Sequence, residues 1–312
     1  MSETRPAAIL IAGPTASGKS GLASVLAERL GGVIINADSM QVYRELRVVT
    51  ARPSAEDEAR VPHRLYGHVP AGEAYSAGRF VTEAASTIAE ARAGGLLPVV
   101  VGGTGLYFKA LLDGLSPIPT IPAEARAFWR REGERLGAER LHGELARRDS
   151  VMADRLASTD TQRIVRALEV LEATGRSLAE WQEMPGTPVL AEAETLGIVL
   201  APERDELYRR CNRRFDSMME AGALEEAGRL REMQLDAALP AMRALGVAPL
   251  LRHLAGELSC EAAVELAKTD TRQYAKRQLT WLRRYMISWN WLDTKQMETG
   301  LLHLIADIRS VP

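Results

Sequence analysis

Four short apolar runs set the rhythm of the chain. Ala7-Ala8-Ile9-Leu10-Ile11-Ala12, Val33-Ile34-Ile35-Asn36, Leu96-Leu97-Pro98-Val99-Val100-Val101 and Thr195-Leu196-Gly197-Ile198-Val199-Leu200 are apolar at nearly every position rather than at every second one. Strands covered on both faces read this way. Helix-period segments lie between them: residues 22–30, stopped by Gly31-Gly32, and the amphipathic residues 76–93, stopped by Gly94-Gly95. Another helix follows Pro202, a long one spans 259–284, and Trp289, Trp291 and Leu292 suggest a last short strand. Buried strands alternating with helices predict an α/β fold with a parallel sheet.

The rhythm breaks at Ser116-Pro117-Ile118-Pro119-Thr120-Ile121-Pro122, whose prolines predict a stiff linker. From 123 to about 188 the chain is rich in Arg and Glu, helical in period and nearly free of strand signals, ending around Gly175 and Pro185-Gly186. It reads as an all-helical insertion domain. The expected division is 1–118 for the first part of the α/β core, 119–190 for the insertion and 191–312 for the second part.

Composition narrows the class. Of 312 residues 46% are hydrophobic and 26% charged, which suits a soluble protein with a full core. A net charge of −2 does not announce a nucleic-acid binder, although one basic face would be enough. Cys211 and Cys260 lack a partner spacing, and five histidines form no metal motif, so neither structural zinc nor a disulfide framework is expected. The chain start lacks a basic, apolar leader, and no run approaches the ~20 residues that span a bilayer. A cytoplasmic protein without membrane contact is expected.

The first strand runs into Gly13-Pro14-Thr15-Ala16-Ser17-Gly18-Lys19-Ser20, a G-x-x-x-x-G-K-[ST] pattern between strand and helix. A chance match in a chain this long is roughly a one-in-a-hundred event, given glycine at about 7% of residues. Gly13 and Gly18 permit backbone conformations that gather N–H groups into one concavity. The helix N-terminus and Lys19 add positive charge, and the Ser20 hydroxyl suits Mg²⁺. The expected fold is therefore a P-loop NTPase-like parallel sheet flanked by helices, with the all-helical insertion. The loop alone does not say which phosphate it holds.

In such sheets ligands lie beyond the carboxyl ends of the strands. Asp38 and Gln41 emerge there, after the second strand. An Asp in that position fits a helix N-cap as well as a chemical role, and position weights the two evenly. The third strand ends in Gly102-Gly103-Thr104, where ATP-hydrolysing relatives usually carry an acid for Mg²⁺. Downstream of Pro202, Arg209, Arg210, Arg213 and Arg214 share a helix with Phe215, Met218 and Met219 turned inward, and one or two of these arginines are expected in the phosphate cleft. In the long C-terminal helix Arg272, Lys276 and Arg277 lie near one another with Tyr274 and Trp281 interleaved, a face suited to a phosphate backbone.

Taken together, the phosphate loop, Asp38-Ser39-Met40-Gln41-Val42-Tyr43, Pro62-His63-Arg64-Leu65, Tyr75-Ser76 and Val101-Gly102-Gly103-Thr104-Gly105-Leu106-Tyr107 resemble the tRNA dimethylallyltransferase family. Gln162-Arg163 with Arg166-Ala167-Leu168-Glu169, and Gln273-Tyr274-Ala275-Lys276-Arg277-Gln278 with Thr280-Trp281, extend the match in order over nearly the whole chain. The resemblance implies transfer of a dimethylallyl group from dimethylallyl diphosphate to the exocyclic N6 amine of the adenosine beside a tRNA anticodon, with Mg²⁺ as cofactor. It implies that Gly13, Thr15, Ala16, Ser17, Gly18, Lys19, Ser20 and Arg214 hold the diphosphate, with Ser20 on the metal. Asp38 would orient the amine or accept its proton, and Thr104 would stand near the reacting centre. Asp38, Ser39, Met40, Gln41, Thr104, Gln162, Arg163, Ile164, Val165 and Arg166 would meet the anticodon stem-loop, joined by the basic Arg272, Lys276 and Arg277. A monomer is the default expectation. The chain departs from the usual family pattern at Val49, in Val49-Thr50-Ala51-Arg52-Pro53, and at Val247, in Leu245-Gly246-Val247-Ala248-Pro249. A P-loop kinase of a small metabolite, or an RNA-binding module with a regulatory P-loop, are the competing readings; the glycines after Val101 and the completeness of the motif set weigh against them.

Overall fold

The structure, a computed structural model, describes residues 6–293. Strand β1 (Ala8–Ala12) is buried along its whole length and runs through the glycine loop into α1 (Lys19–Leu30). Gly18 caps that helix at φ 92°, a left-handed conformation that glycine adopts without a Cβ penalty. The chain returns as β2 (Gly32–Asn36). Residues 37–54 then form turns and a single bridge, without a helix. They lead to α2 (Ala55–Arg60), closed by a reciprocal Ser54–Asp57 capping box, and to the two-residue β3 (His63–Arg64). Helix α3 (Ala77–Ala93), capped by the Ser76 hydroxyl, precedes β4 (Leu97–Gly102) and α4 (Gly105–Asp113).

Five helices follow: α5 (Ala123–Leu136), α6 (Ala138–Arg148), α7 (Ser150–Arg155), α8 (Thr161–Thr174) and α9 (Leu178–Glu183). The chain then re-enters the sheet as β5 (Thr195–Leu200). Helices α10 (Arg204–Glu220), α11 (Ala223–Glu232), α12 (Val247–Leu254) and the 26-residue α13 (Cys260–Tyr285) lead to the last described strand, β6 (Asn290–Leu292).

The sheet has the order β3-β2-β4-β1-β5-β6, and every neighbouring pair is parallel. β1 is central, with Leu10 opposite Val100 of β4 on one side and Gly197 of β5 on the other. Side chains alternate across a strand, so β1 divides its residues between two cores. Ala8, Leu10 and Ala12 join Phe80, Phe108 and Leu250 on one face; Ile9 and Ile11 join Leu22 and Leu26 of α1 on the other. Covering both faces is what requires apolar residues at every position of these runs.

Asp113–Pro188 forms one compact unit, and the chain before and after it forms the other. The expected boundaries lie six residues later at the entry and two later at the exit. The division falls earlier because the Leu111 carbonyl accepts from both Val189 N–H (2.8 Å) and Leu190 N–H (3.0 Å). The proline stretch is not a spacer. Ile121 is buried in the helical unit's core with Trp129, Leu141, Leu145 and Leu168, so the stretch packs as part of that unit. Among the described residues no helix is long and apolar enough to cross a membrane.

Candidate active site

The phosphate loop lies at the carboxyl end of β1, between the ends of β4 and β5. It is held by its own backbone, Ser17 N–H donating to Pro14 C=O, and by Lys19, whose ammonium donates to the same carbonyl at 3.2 Å. Ala16 takes φ 62° on the way to Gly18. A cleft of about 300 Å³ opens beside it. Thr15, Lys19, Ser20, Asp38, Ser39, Met40, Gln41 and Arg214 line it, together with the apolar side chains of Val49, Phe215, Met218 and Leu245. Ala16, Ser17 and Gly18 face an outer recess that they share with Lys19, Ser20, Arg210, Arg213 and Arg214. Gly13 lies beneath, so close to the turn that a Cβ there would stand 2.7 Å from Ser17 Oγ.

The charge in the cleft is unbalanced. Burial, and then the neighbouring Arg214, pull the Lys19 ammonium down to a pKa of about 8, against the attraction of Asp38. Burial likewise lowers the Arg214 guanidinium, again opposed by Asp38. Among the described residues neither cation has a carboxylate within 4.0 Å; Arg214 reaches only the Thr50 carbonyl, at 3.4 Å. Two half-buried cations near one carboxylate make a site short of negative charge, which an anion would complete. The arginines of α10 divide as the sequence suggests. Arg214 enters the cleft, while Arg209, Arg210 and Arg213 fan around the single carboxylate of Glu206.

Asp38 is fixed by turns, not by a helix. Its Oδ1 accepts from Met40 N–H at 2.9 Å; its own N–H donates to Asn36 Oδ1, and its carbonyl accepts from Asn36 Nδ2, both at 2.9 Å. With no helix between residues 37 and 54, the N-cap reading falls away. Thr104 stands behind this wall: its Oγ1 accepts from Ser39 N–H at 3.0 Å, and its N–H donates to the Ala37 carbonyl at 3.3 Å. Thr104 thus braces the Asp38 turn from β4. Tyr274 adds a phenol to the cleft that burial, and then Asp38, hold above its ordinary pKa, so it stays a neutral hydroxyl.

The remaining expected residues separate. Arg277 lines the cleft, its guanidinium 5.7 Å from the Tyr274 ring centre. Lys276 is exposed on α13. Arg272 is turned inward, donating to Asn212 Oδ1 (2.6 Å) and to Thr269 Oγ1. Gln41 lines the cleft, but its amide nitrogen is committed to the Thr50 and Ala51 carbonyls at 2.8 and 3.1 Å. Gln162 and Arg163 are exposed at the start of α8, in the helical unit, and Arg166 pairs with Glu169. Ile164 corrects one expectation: it is 0% exposed in that unit's core, because the stripe that holds α8 in place runs through it. Val165 packs toward Gly133, where a Cβ would come within 3.0 Å of its Cγ2.

Sequence reasoning assigned no role to Cys211, Arg243, Leu245 or Thr271, and read Tyr274 only as part of a basic helix face, yet all five line the cleft. Nor did it find Glu226 of α11, 3% exposed, whose carboxylate accepts from Arg47, Val48 and Val49 N–H at 2.8, 2.8 and 2.9 Å. That contact fixes the loop on which Val49 and Thr50 reach the cleft. Only the inward Phe215 and Met218 carried a readable signal, their helical spacing.

A parallel sheet, a phosphate loop at its central strand and a cleft lined by both cationic and apolar side chains define a P-loop α/β protein. Known proteins narrow this further. The "IPP transferase" family model matches residues 41–285, and the "Isopentenyl transferase" model residues 6–69. A tRNA dimethylallyltransferase of Rhodopseudomonas palustris is 52% identical over 95% of this chain and 92% of its own length. The tRNA isopentenylpyrophosphate transferase of Bacillus halodurans has a similar structure, with TM-score 0.69 and 31% identity over 99% of this chain and 98% of that one. A eukaryotic dimethylallyltransferase acting on tRNA superposes with TM-score 0.77 at 29% identity, over 92% of this chain and 73% of that one. The chain belongs to the IPP transferase family.

Proposed function

We propose that this protein, acting as a cytoplasmic monomer, transfers a dimethylallyl group from dimethylallyl diphosphate to the N6 amine of the adenosine 3′-adjacent to a tRNA anticodon, releasing diphosphate. One observation carries the reading: among the described residues, half-buried Lys19 and Arg214 stand near Asp38 with no carboxylate in ion-pair reach, in a cleft that apolar side chains also line. An allylic diphosphate has the matching form, an anionic head joined to a short hydrocarbon. The loop amides, Lys19 and Arg214 neutralise charge growing on the leaving diphosphate as the carbon–oxygen bond breaks, and do so with groups already in place. The apolar wall of Val49, Phe215, Met218 and Leu245 accommodates the five-carbon group and keeps water from the allylic carbon.

The acceptor amine is a poor nucleophile. Asp38, fixed through Met40 and Asn36, holds it by hydrogen bond and takes its proton as the new carbon–nitrogen bond forms. Thr104 keeps the Asp38 turn in register through Ser39. An adenine stacked in an anticodon loop cannot enter a cleft among side chains, so the base leaves its stack. Exposed Gln162 and Arg163, with Val165 and Arg166 beside them on α8, are suited to hold the loop, and Lys276 and Arg277 to meet its phosphates.

The donor set fits Mg²⁺ in the manner of a phosphate loop. Ser20 offers a hydroxyl at the cleft wall, and no cluster of three His, Cys, Asp or Glu occurs among the described residues, so substrate oxygens and water would complete the shell. Bound there, the ion would stabilise charge on the diphosphate. A metabolite kinase is the second reading, and the end of β4 in Gly102-Gly103-Thr104, without an acid, disfavours it. The test is incubation with Mg²⁺, labelled dimethylallyl diphosphate and unmodified tRNA carrying that adenosine. Label retained on the tRNA supports the proposal; phosphate released from ATP without label on tRNA supports the kinase.

A further inference from the structure

Gln278 lies in the middle of α13, 6% exposed, with both ends of its carboxamide in use. Its Oε1 accepts from the Thr15 N–H of the phosphate loop at 2.9 Å, and its Nε2 donates to the Gly103 carbonyl, at the end of β4, at 2.8 Å. The two anchors belong to opposite walls of the chemistry. Thr15 lines the cleft, and Gly103 is bonded to Thr104, which carries the Asp38 turn. Glycine at 103 is required by this contact, because a Cβ there would stand 2.2 Å from Gln278 Nε2. One turn further along α13, Trp281 lies so close to Gly105 that a Cβ would come within 2.1 Å of its ring. The helix is thus fitted against the β4–α4 turn at two successive points.

We infer that Gln278 is a positioning residue that sets the separation between the phosphate loop and the Gly103–Thr104 turn, and so between the leaving diphosphate and the attacking amine. It touches no reacting atom; it rests on the transfer reaction proposed above. A planar amide carries one donor face and one acceptor face at fixed spacing, and no other side chain of that length supplies both. In-line displacement is sensitive to this separation, since a misplacement of about 1 Å can lower a rate about 100-fold.

Two substitutions separate the contacts. Gln278→Glu keeps the shape and the acceptor for Thr15 but loses the donor to Gly103. Gln278→Leu loses both. Three quantities are measured on the full-length protein: the single-turnover transfer rate at saturating substrates, the affinity for inorganic diphosphate, and hydrogen exchange of the Thr15 amide. The expected result is a rate about 100-fold lower in both variants, with diphosphate affinity within about threefold of the parent in Gln278→Leu. Thr15 exchange should be roughly tenfold faster in Gln278→Leu and unchanged in Gln278→Glu, the size of one lost hydrogen bond. Should Gln278→Leu fail to fold, the isosteric Gln278→Glu carries the rate test alone. Transfer within threefold of the parent in the folded variants overturns the inference, as does Thr15 exchange that does not respond to Gln278→Leu. If the parent protein itself transfers no prenyl group, the proposed reaction fails, and Thr15 exchange alone decides whether the clamp exists.

Discussion

Lys19 is the residue at which structure and pH meet. Its pKa of about 8 lies below that of a free lysine because burial disfavours the ammonium. Between about pH 8 and 10.5 the folded chain therefore binds fewer protons than the unfolded one. Burying this charge costs stability below that window, and the cost disappears as pH rises through it. A bound diphosphate supplies the missing counter-charge and raises the pKa again. Diphosphate binding should accordingly take up a proton near pH 8.5 and weaken as pH climbs further. Calorimetry in buffers of different ionisation enthalpy reads that uptake directly, and Lys19→Met should abolish it. Asp38→Asn should lower the transfer rate by about 10²- to 10⁴-fold, the range of a lost general base, while diphosphate affinity stays within about threefold. Preserved turnover would remove Asp38 from that role. Lys19 and Asp38 were legible in the sequence because a motif or a strand end names them. Tyr274 and Leu245 were not, since a cleft wall assembled from six separate segments leaves no local spacing to read.

At the level of elements, α13 was read from sequence as one basic face, and the fold divides it. Lys268 pairs with Asp216 and Glu265, and Arg272 with Asn212, whereas Arg277 lines the cleft and Lys276 is exposed. Charge counted along a helix does not show which cations already have partners on α10. Neutralising Lys276 and Arg277 together should weaken tRNA binding and reduce its dependence on log salt by roughly 1.5, near 0.7–0.9 per phosphate contact. Lys268→Met should leave that slope unchanged; titrations at several salt concentrations check both. The α11 clamp makes a separate prediction. Glu226→Ala removes the acceptor of the Arg47, Val48 and Val49 N–H groups, the last of them buried, and should cost about 3 kcal/mol in denaturant unfolding. A loss under ~1 kcal/mol would mean that the loop re-pairs without it. The four long strands β1, β2, β4 and β5, by contrast, were readable almost to the residue, because burial on both faces leaves an unbroken apolar run. The two-residue, part-exposed β3 carries no such run and was not foreseen.

For the whole molecule, the sequence announced an interruption of the α/β core but misjudged its edges, taking the prolines near 117–122 for a spacer. Ile121 shows why: an apolar residue among prolines can belong to a core, and only the packed partners reveal which one. Because the Leu111 carbonyl already joins Val189 and Leu190, replacing residues 113–188 by a short turn should leave a folded core that binds diphosphate. That core should not prenylate tRNA, since the α8 residues proposed to hold the anticodon loop are gone. Calorimetry with diphosphate and a tRNA transfer assay check the two halves. The central claim concerns what the phosphate loop holds, a leaving group rather than a nucleotide substrate. It is tested most directly by measuring diphosphate release and prenyl transfer together, in one reaction containing dimethylallyl diphosphate, tRNA and ATP. The account predicts one diphosphate per prenylated adenosine and intact ATP; phosphate appearing from ATP while the tRNA stays unmodified would contradict it.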